Sequence, residues 1–194
     1  MNEAVGGTPA VLVDRDGTLI REVGYLSRPE QIEVLPRVPE AIQSFRQNGL
    51  KVAVITNQSG VARGYLSEEE LQDIHEELKR RLAKSGAFLD GIYYCPHHPD
   101  EGLGSYRVSC ECRKPNVGLA RQAAAALNLD LGRSYVVGDQ ASDIELAARI
   151  GAKGILIQDN EVEREKPKAE GKLLTVKDLW EAGQWIIQDI QAKR

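Results

Sequence analysis

The ten residues VLVDRDGTLI, numbered 11–20, indicate the fold of this chain. A short apolar run bounded by Gly is typical of a buried strand, and open α/β sheets bind ligands beyond the carboxyl ends of such strands. Side chains alternate along an extended chain, so we expect Asp14 and Asp16 to point the same way. Two neighbouring carboxylates repel each other unless a cation or shared proton lies between them. The segment therefore predicts a metal-assisted site, with one carboxylate to attack and one to carry a proton.

A strand that ends in a turn is the alternative interpretation, because Asp and Gly are common turn formers. Three later segments argue against it. The stretch KVAVITNQSG, residues 51–60, is a second apolar strand followed by hydroxyl and amide groups, which bind phosphate oxygens without adding charge. The stretch CRKPN, residues 112–116, places two cations where they would neutralise a phosphoryl group. The stretch YVVGDQASD, residues 135–143, ends a third strand in two aspartates, which are ligands suited to Mg²⁺.

Each of these segments, taken singly, also has an ordinary structural interpretation: a polar loop, a solvated Arg-Lys pair, and an acid in the first turn of a helix. Taken in order, the four segments resemble the motifs of the haloacid dehalogenase (HAD) superfamily of phosphatases. The resemblance spans most of the chain, from about residue 11 to residue 157. The catalytic residues that it implies are Asp14, Asp16, Thr56 and Lys114.

Strands and helices alternate along the whole sequence, which predicts a doubly wound parallel α/β sheet in a single domain, residues 1–194. We expect helices at residues 38–48, 67–84, 117–127 and 142–150, with a capping box at Ser67 and Asn116 as a further cap. Strands are expected at residues 90–94, 154–157 and 173–176, the last after a charged stretch at residues 161–172. A final helix carries a stripe predicted to pack in the core, formed by Leu179, Trp180, Trp185, Ile186 and Ile190. No segment is long enough for a separate cap domain, so we expect an open site.

All three cysteines and two of the three histidines lie in CPHH, residues 95–98, and CEC, residues 110–112. Three thiolates and one imidazole suit a closed, tetrahedral Zn²⁺ site of a structural kind. A disulfide with one cysteine left over fits a cytoplasmic chain poorly, and three free cysteines are the other alternative. Because Cys112 directly precedes Arg113, zinc would also hold the Arg-Lys pair in place.

A zinc loop on an uncapped HAD scaffold is similar to the D-glycero-D-manno-heptose 1,7-bisphosphate phosphatase family, which includes the histidinol-phosphate phosphatases. This resemblance implies a flap over the substrate at residues 22–25, and Cys-x-His ligation by His97 rather than His98. Gln140 stands where some relatives carry Lys, which would alter substrate grip or anomer preference. The substrate-binding residues implied are Glu22, Val23, Gly24, Tyr25, Asn57, Gln58, Ser59, Arg113 and Gln140. The zinc ligands implied are Cys95, His97, Cys110 and Cys112.

The family resemblance implies a Mg²⁺-dependent hydrolase of carbohydrate metabolism. Mg²⁺ would lie between Asp14, the backbone carbonyl of Asp16 and Asp139, while Asp143 orients Lys114 or the metal-bound waters. We expect an aspartyl-phosphate intermediate and release of the 7-phosphate, in ADP- or GDP-heptose synthesis for lipopolysaccharide. The alternatives are a histidinol-phosphate phosphatase and a non-catalytic zinc module that binds a phosphorylated ligand.

Composition excludes several other classes of partner. The formal net charge of −4 gives no basic footprint for nucleic acid. No apolar run is long enough to span a membrane, and residues 1–9 lack the pattern of a secretory signal. We therefore expect a cytoplasmic protein with no nucleic-acid or membrane partner. The family resemblance implies a small phosphorylated sugar as the substrate, and we expect a monomer.

Overall fold

The described part of the chain, residues 6–158 and 173–193 of a computed structural model, contains one six-stranded parallel sheet. The strands are β1 (Ala10–Val13), β2 (Lys51–Asn57), β3 (Gly91–Cys95), β4 (Tyr135–Gly138), β5 (Lys153–Ile157) and β6 (Leu174–Val176). The α-helices are α1 (Val38–Gln47), α2 (Ser59–Ala62), α3 (Glu68–Lys84), α4 (Gly118–Leu127), α5 (Ala141–Ile150) and α6 (Leu179–Gln191). The predicted alternation of strands and helices is confirmed.

The strand order is β3-β2-β1-β4-β5-β6, so the chain winds outward in one direction from β1 and then in the other from β4. This is a doubly wound sheet, as predicted, and its order reverses between β1 and β4. Val13 pairs with Val54 of β2 and Val137 of β4, which brings the ends of these three strands together. Ligands of such sheets bind at this switch point.

Both faces of the sheet are covered by helices, which is why the central strands are apolar at every position. All four residues of β1 are fully buried. Val11 and Val13 point to the face covered by α1, α3 and α6, whereas Ala10 and Leu12 point to the face covered by α4 and α5. On α6, Leu179 and Ile186 are buried and Trp180, Trp185 and Ile190 pack beside them, so the predicted core stripe is confirmed.

One predicted helix cap is confirmed and the other is wrong. The Ser67 hydroxyl accepts from the Glu70 amide at 3.1 Å, and the Glu70 carboxylate accepts from the Ser67 amide at 2.7 Å. At the start of α4, however, Val117 is the capping position and no side chain caps the helix. The Asn116 side chain instead donates to the carbonyl of Cys110 at 2.8 Å, because it is used to hold the cysteine loop, residues 95–112.

The two long loops contain no cap domain, as predicted. Between Thr18 and Val38 the chain forms a 3₁₀ turn, Pro29–Gln31, and one isolated bridge, and the cysteine loop likewise contains one 3₁₀ turn, Gly104–Tyr106, and one isolated bridge. Within residues 6–158 and 173–193, no helix has the length and apolarity needed to cross a bilayer. The charged stretch at residues 161–172 lies outside the described residues, so the single domain over residues 1–194 stays a prediction.

Candidate active site

A cavity of about 270 Å³ opens at the carboxyl ends of β1, β2 and β4, where the strand order reverses. It brings together residues from the four motifs and from the flap at residues 22–25, all of which the sequence analysis singled out. The predicted residues that line it are Asp14, Asp16, Glu22, Gly24, Tyr25, Thr56, Asn57, Gln58, Ser59, Arg113, Lys114, Asp139 and Gln140. Leu26, Gly60, Leu66 and Ser142 also line it.

Asp14 is the first residue after β1, and the backbone fixes its position. Its amide donates to the carbonyl of Val137 at 2.9 Å, which continues the pairing of β1 with β4. One carboxylate oxygen, Oδ1, accepts from the Arg15 amide at 2.7 Å and lies 3.0 Å from the Lys114 ammonium. No described residue makes a hydrogen bond to Oδ2, so this oxygen is the one available to attack a substrate.

Lys114 lies beneath the cavity and is only 4 % exposed. Its ammonium is 2.6 Å from Asp143 Oδ1 as well as 3.0 Å from Asp14 Oδ1. Burial alone would lower its pKa, but the two carboxylates outweigh that effect and raise it above the usual value. Lys114 therefore stays charged where a phosphoryl group would develop negative charge.

Asn57, at the end of β2, holds the backbone of Lys114 from both sides. Its Oδ1 accepts from the Lys114 amide at 2.9 Å, and its Nδ2 donates to the Lys114 carbonyl at 3.2 Å. This side chain therefore positions the lysine, and substrate binding by Asn57 stays a prediction.

Asp143 is 1 % exposed and lies behind Lys114 on the first turn of α5. Its Oδ2 accepts from the Gln140 amide at 3.1 Å, while Oδ1 holds the lysine. Burial, with a smaller contribution from the Asp14 charge, raises the pKa of Asp143 to about 6 against the opposing effect of Lys114. Gly138 leaves the space that this carboxylate occupies, since a Cβ at Gly138 would collide with it.

The carboxylates of Asp14, Asp139 and Asp143 offer oxygens that lie within 4.8 Å of one another. Asp139 Oδ1 is buried and has no hydrogen-bond partner among the described residues, although Oδ2 accepts from Gln140 Nε2 at 3.1 Å. Burial raises the pKa of Asp139, and the Asp14 charge raises it further. A buried, unpartnered carboxylate oxygen beside a second carboxylate fits a hard divalent cation such as Mg²⁺.

Asp16 lies on the other side of the cavity, within a network of hydrogen bonds. The Arg15 guanidinium donates to both of its oxygens at 3.1 Å, and Gln58 Nε2 donates to Oδ2 at 2.8 Å. The same amide group of Gln58 donates to Thr56 Oγ1 at 2.9 Å. The amide of Gln58 is hydrogen-bonded to other protein side chains. Its contact with the substrate stays a prediction.

The flap, residues 22–25, covers one side of the cavity. Glu22, Gly24 and Tyr25 line the cavity, whereas Val23 does not and is 42 % exposed. The Tyr25 ring packs edge-on against Tyr65, with ring centroids 4.6 Å apart, so the flap rests on the loop that follows α2.

The cysteine loop brings together the four predicted zinc ligands. Their ligand atoms lie within 4.8 Å of one another, for example 3.3 Å from His97 Nδ1 to Cys112 Sγ and 3.2 Å from Cys112 Sγ to Cys110 Sγ. This clustering suits tetrahedral coordination of one metal ion. His98 faces elsewhere, because its Nδ1 accepts from the amides of Asp100 and Glu101.

Arg113 connects the cysteine loop to the cavity. Its Nη1 donates to the carbonyl of His97 at 3.0 Å, while the residue also lines the cavity. The position of this guanidinium therefore depends on the folding of the loop.

Comparisons with known proteins agree with this site. A family model described as HAD-hydrolase-like matches residues 111–182. A D-glycero-beta-D-manno-heptose-1,7-bisphosphate 7-phosphatase of Yersinia pestis is 42% identical over 147 residues, covering 75% of this chain and 78% of the relative. The phosphatase of the same name from Photorhabdus laumondii is 38% identical over 170 residues, 87% of this chain and 90% of the relative.

The chain belongs to the D-glycero-beta-D-manno-heptose-1,7-bisphosphate 7-phosphatase family. It is a phosphoric monoester hydrolase of the HAD superfamily. A crystal structure of D,D-heptose 1,7-bisphosphate phosphatase from B. bronchiseptica, complexed with magnesium and phosphate, is also similar. Its TM-score is 0.76 at 30% identity, and the match covers 93% of this chain and 99% of that one.

Two residues of this HAD phosphatase's site were missed by the sequence analysis. Arg15 is 1 % exposed beneath the cavity, and its Nη1 lies 3.2 Å from His75 Nε2. No pattern in the sequence pairs Arg15 with a distant helix. His75 did carry a signal, because it lies on the apolar stripe of α3 between Leu71 and Leu78, where a polar side chain needs a partner.

Proposed function

We propose that this chain removes the 7-phosphate of D-glycero-D-manno-heptose 1,7-bisphosphate and leaves the anomeric phosphate in place. The observation that carries the proposal is that Asp14 and Asp16 face one cavity, with Lys114 buried between Asp14 and Asp143. The names of the relatives supply the substrate. The product would feed synthesis of ADP- or GDP-heptose for lipopolysaccharide.

Two metal ions belong to this proposal. Asp14, Asp139 and the backbone carbonyl of Asp16 would hold Mg²⁺, which would offset the repulsion between a carboxylate nucleophile and a phosphate. The bound magnesium and phosphate of the B. bronchiseptica structure support this assignment. Cys95, His97, Cys110 and Cys112 would hold a structural Zn²⁺ that takes no part in the chemistry.

In the first step, Asp14 Oδ2 attacks phosphorus and the bond from phosphorus to the C7 oxygen breaks. Asp16 gives its proton to that oxygen, so the sugar leaves as an alcohol. Lys114 and Thr56 stabilise the oxygens of the transferring group as their charge shifts. The product of this step is an aspartyl-phosphate on Asp14.

In the second step, water attacks the phosphorus of the aspartyl-phosphate. Asp16, now ionised, accepts a proton from that water, and the bond between phosphorus and Asp14 breaks. Inorganic phosphate leaves and both aspartates return to their starting protonation states. One carboxylate therefore serves as acid and then as base, which a protein that only binds phosphate would not need.

Substrate selection would fall to the open rim of the cavity. Arg113 offers a planar, bidentate grip on oxygen-rich groups, and the flap would lie over the sugar. Gln140 lines the cavity directly after Asp139 and would influence anomer preference. Action as a cytoplasmic monomer with no membrane partner is part of the proposal. The absence of a nucleic-acid partner is part of it too and is supported by the net charge of −4.

A substrate panel tests the proposal. We expect the highest kcat/KM for the heptose bisphosphate, and ³¹P NMR of the product should show the anomeric phosphate retained. A higher kcat/KM for histidinol phosphate would assign the chain to that activity instead. Loss of the anomeric phosphate would show that the sugar binds in the opposite orientation.

A further inference from the structure

The buried guanidinium of Arg15 has no role in the steps above, although it lies between the two catalytic aspartates in sequence. It is among the largest fully buried side chains of the described residues. A cation in such a position is costly unless every charge and donor is matched. Its partners therefore show what it does.

Two nitrogens of the Arg15 guanidinium form a bidentate pair with Asp16, the proposed general acid. Nε donates to Asp16 Oδ2 and Nη2 donates to Oδ1, each at 3.1 Å, and Nη2 also donates to Gln58 Oε1 at 2.7 Å. A bidentate pair of this kind fixes the plane of a carboxylate as well as its distance. Asp16 Oδ2 also accepts from Gln58 Nε2 at 2.8 Å, so Oδ1 is the oxygen with a lone pair to spare, and Asp16 lines the cavity.

The third guanidinium nitrogen of Arg15, Nη1, lies beside a neutral acceptor. Arg15 Nη1 lies 3.2 Å from His75 Nε2, and a guanidinium only donates, so Nε2 must carry a lone pair and the ring must be neutral. Burial on α3, with a smaller contribution from the Arg15 charge, lowers the pKa of His75 to about 3. The imidazole therefore accepts a hydrogen bond without competing as an anion for the guanidinium.

We propose that His75 and Arg15 form a buried brace that sets the orientation of the Asp16 carboxylate for proton transfer to the leaving oxygen. The inference rests on the proposed phosphatase mechanism. His75 is a positioning residue that acts through Arg15, and it touches neither substrate nor metal. An acidic residue at position 75 would draw the guanidinium away from Asp16, whereas an apolar one would leave Nη1 buried without a partner.

The test compares two leaving groups. A sugar phosphate releases an alkoxide that needs a proton from Asp16, whereas p-nitrophenyl phosphate releases a stable phenolate that does not. The ratio of kcat/KM for the two substrates therefore reports proton donation, because kcat/KM covers only the steps up to bond cleavage. A general loss of structure lowers both values together.

We expect His75→Phe to lower kcat/KM for the sugar phosphate by at least about tenfold and that for p-nitrophenyl phosphate by less than about threefold. His75→Gln, which keeps an acceptor, should restore the ratio to near that of the wild type. The matched control is Leu78→Ala, a cavity variant on the same face of α3, which should reduce stability and leave the ratio unchanged.

An unchanged ratio in folded His75→Phe would overturn the brace. If His75→Phe does not fold, Arg15→Lys carries the same test, because it keeps the charge and loses the fork. Failure of the proposed substrate is a separate result: wild-type protein would then not hydrolyse the heptose bisphosphate. The ratio would still be measured with whichever alkyl phosphate the wild type hydrolyses, and inactivity toward every alkyl phosphate would overturn both proposals.

Discussion

The two sides of the cavity are held in different ways. The phosphoryl centre is formed by Asp14, Asp16, Lys114 and Asp139. Its aspartates follow β1 and β4, which are buried on both faces, and Lys114 is held against them by ion pairs with Asp14 and Asp143. The cysteine loop consists mostly of irregular backbone, with one isolated bridge between His98 and Arg107. Its inner residues are three thiols and one imidazole, and the thiols pack against the apolar cluster formed with α4 and α5.

This difference shows which site residues are positioned by strand pairing alone and which need a cross-link to hold them in place. Parallel pairing alone brings Asp14 and Asp139 together, because β1 and β4 are neighbours. In the cysteine loop, burial raises the pKa of Cys95 and Cys112, so without a cation their thiols stay protonated and give no firm cross-link. Metal binding would release those protons and tie the loop to Arg113. The phosphoryl centre should therefore determine the rate of the chemical step, and the cysteine loop should determine how the substrate is bound.

The largest effect should come from the nucleophile. Asp14→Asn keeps the shape of the side chain and removes the attacking charge, so we expect kcat to fall by about four orders of magnitude or more. The melting temperature should not fall, because Lys114 keeps Asp143 and one of several crowded carboxylates is neutralised. Phosphate release and calorimetry are the two measurements, and exposed Asp73→Asn on α3 is the charge-matched control. Turnover near the wild-type rate would exclude covalent catalysis by Asp14.

The next effect separates the two aspartates. Asp16→Asn should lower kcat for the sugar phosphate by about 10²- to 10⁴-fold, because the leaving oxygen loses its acid. Acid quenching during turnover should still trap phosphate on Asp14 when an aryl phosphate is the substrate. If Asp16→Asn retains the sugar phosphate rate within a few-fold, another residue is the acid.

The sequence predicted the phosphoryl centre better than its surroundings, for a physical reason. Apolar runs that end in Asp or Thr are local patterns, and parallel pairing brings all such strand ends to one edge. The bounds of the strands were predicted less accurately: β3 was expected at residues 90–94 but spans Gly91–Cys95. Pairing of Asn57 with Cys95 extends it, and this tertiary contact brings a predicted zinc ligand to the edge of the sheet.

Contacts between distant segments were beyond prediction. Arg15 and His75 are 60 residues apart, and only the packing of α3 over the sheet brings them together. Asn116 has the right residue type to cap α4, yet the cysteine loop uses its side chain. In both cases a tertiary partner outweighed the local preference.

Loss of the proposed zinc tests the other side of the comparison. We expect one zinc per chain in the wild type and less in Cys112→Ser, with kcat/KM for the sugar bisphosphate lowered about 100-fold by misplacement of the Arg-Lys pair. Mild chelation should remove magnesium and stop turnover while zinc remains bound. His97→Ala should behave like Cys112→Ser, and His98→Ala should retain its zinc because His98 points away from the thiols. Full activity in zinc-free protein supplied with magnesium would show that the loop needs no cross-link.

The smallest effect should come from the residue where the two sides meet. Arg113→Ala would remove the bidentate contact proposed for the bisphosphate but leaves Lys114 held by Asn57, Asp14 and Asp143. A lost charge-assisted contact costs about 1.5 to 3 kcal/mol, which corresponds to about a ten- to hundredfold loss of preference for the bisphosphate over simple phosphate esters. The rate with p-nitrophenyl phosphate should change little, because that ester has no second phosphate to grip. The measurement is the ratio of kcat/KM for the two substrates, with exposed Arg133→Ala as the matched control. An equal fall in kcat/KM for both substrates would mean that Arg113 acts in the chemical step at the phosphoryl centre. The separation between catalysis and substrate binding would then not hold at this residue.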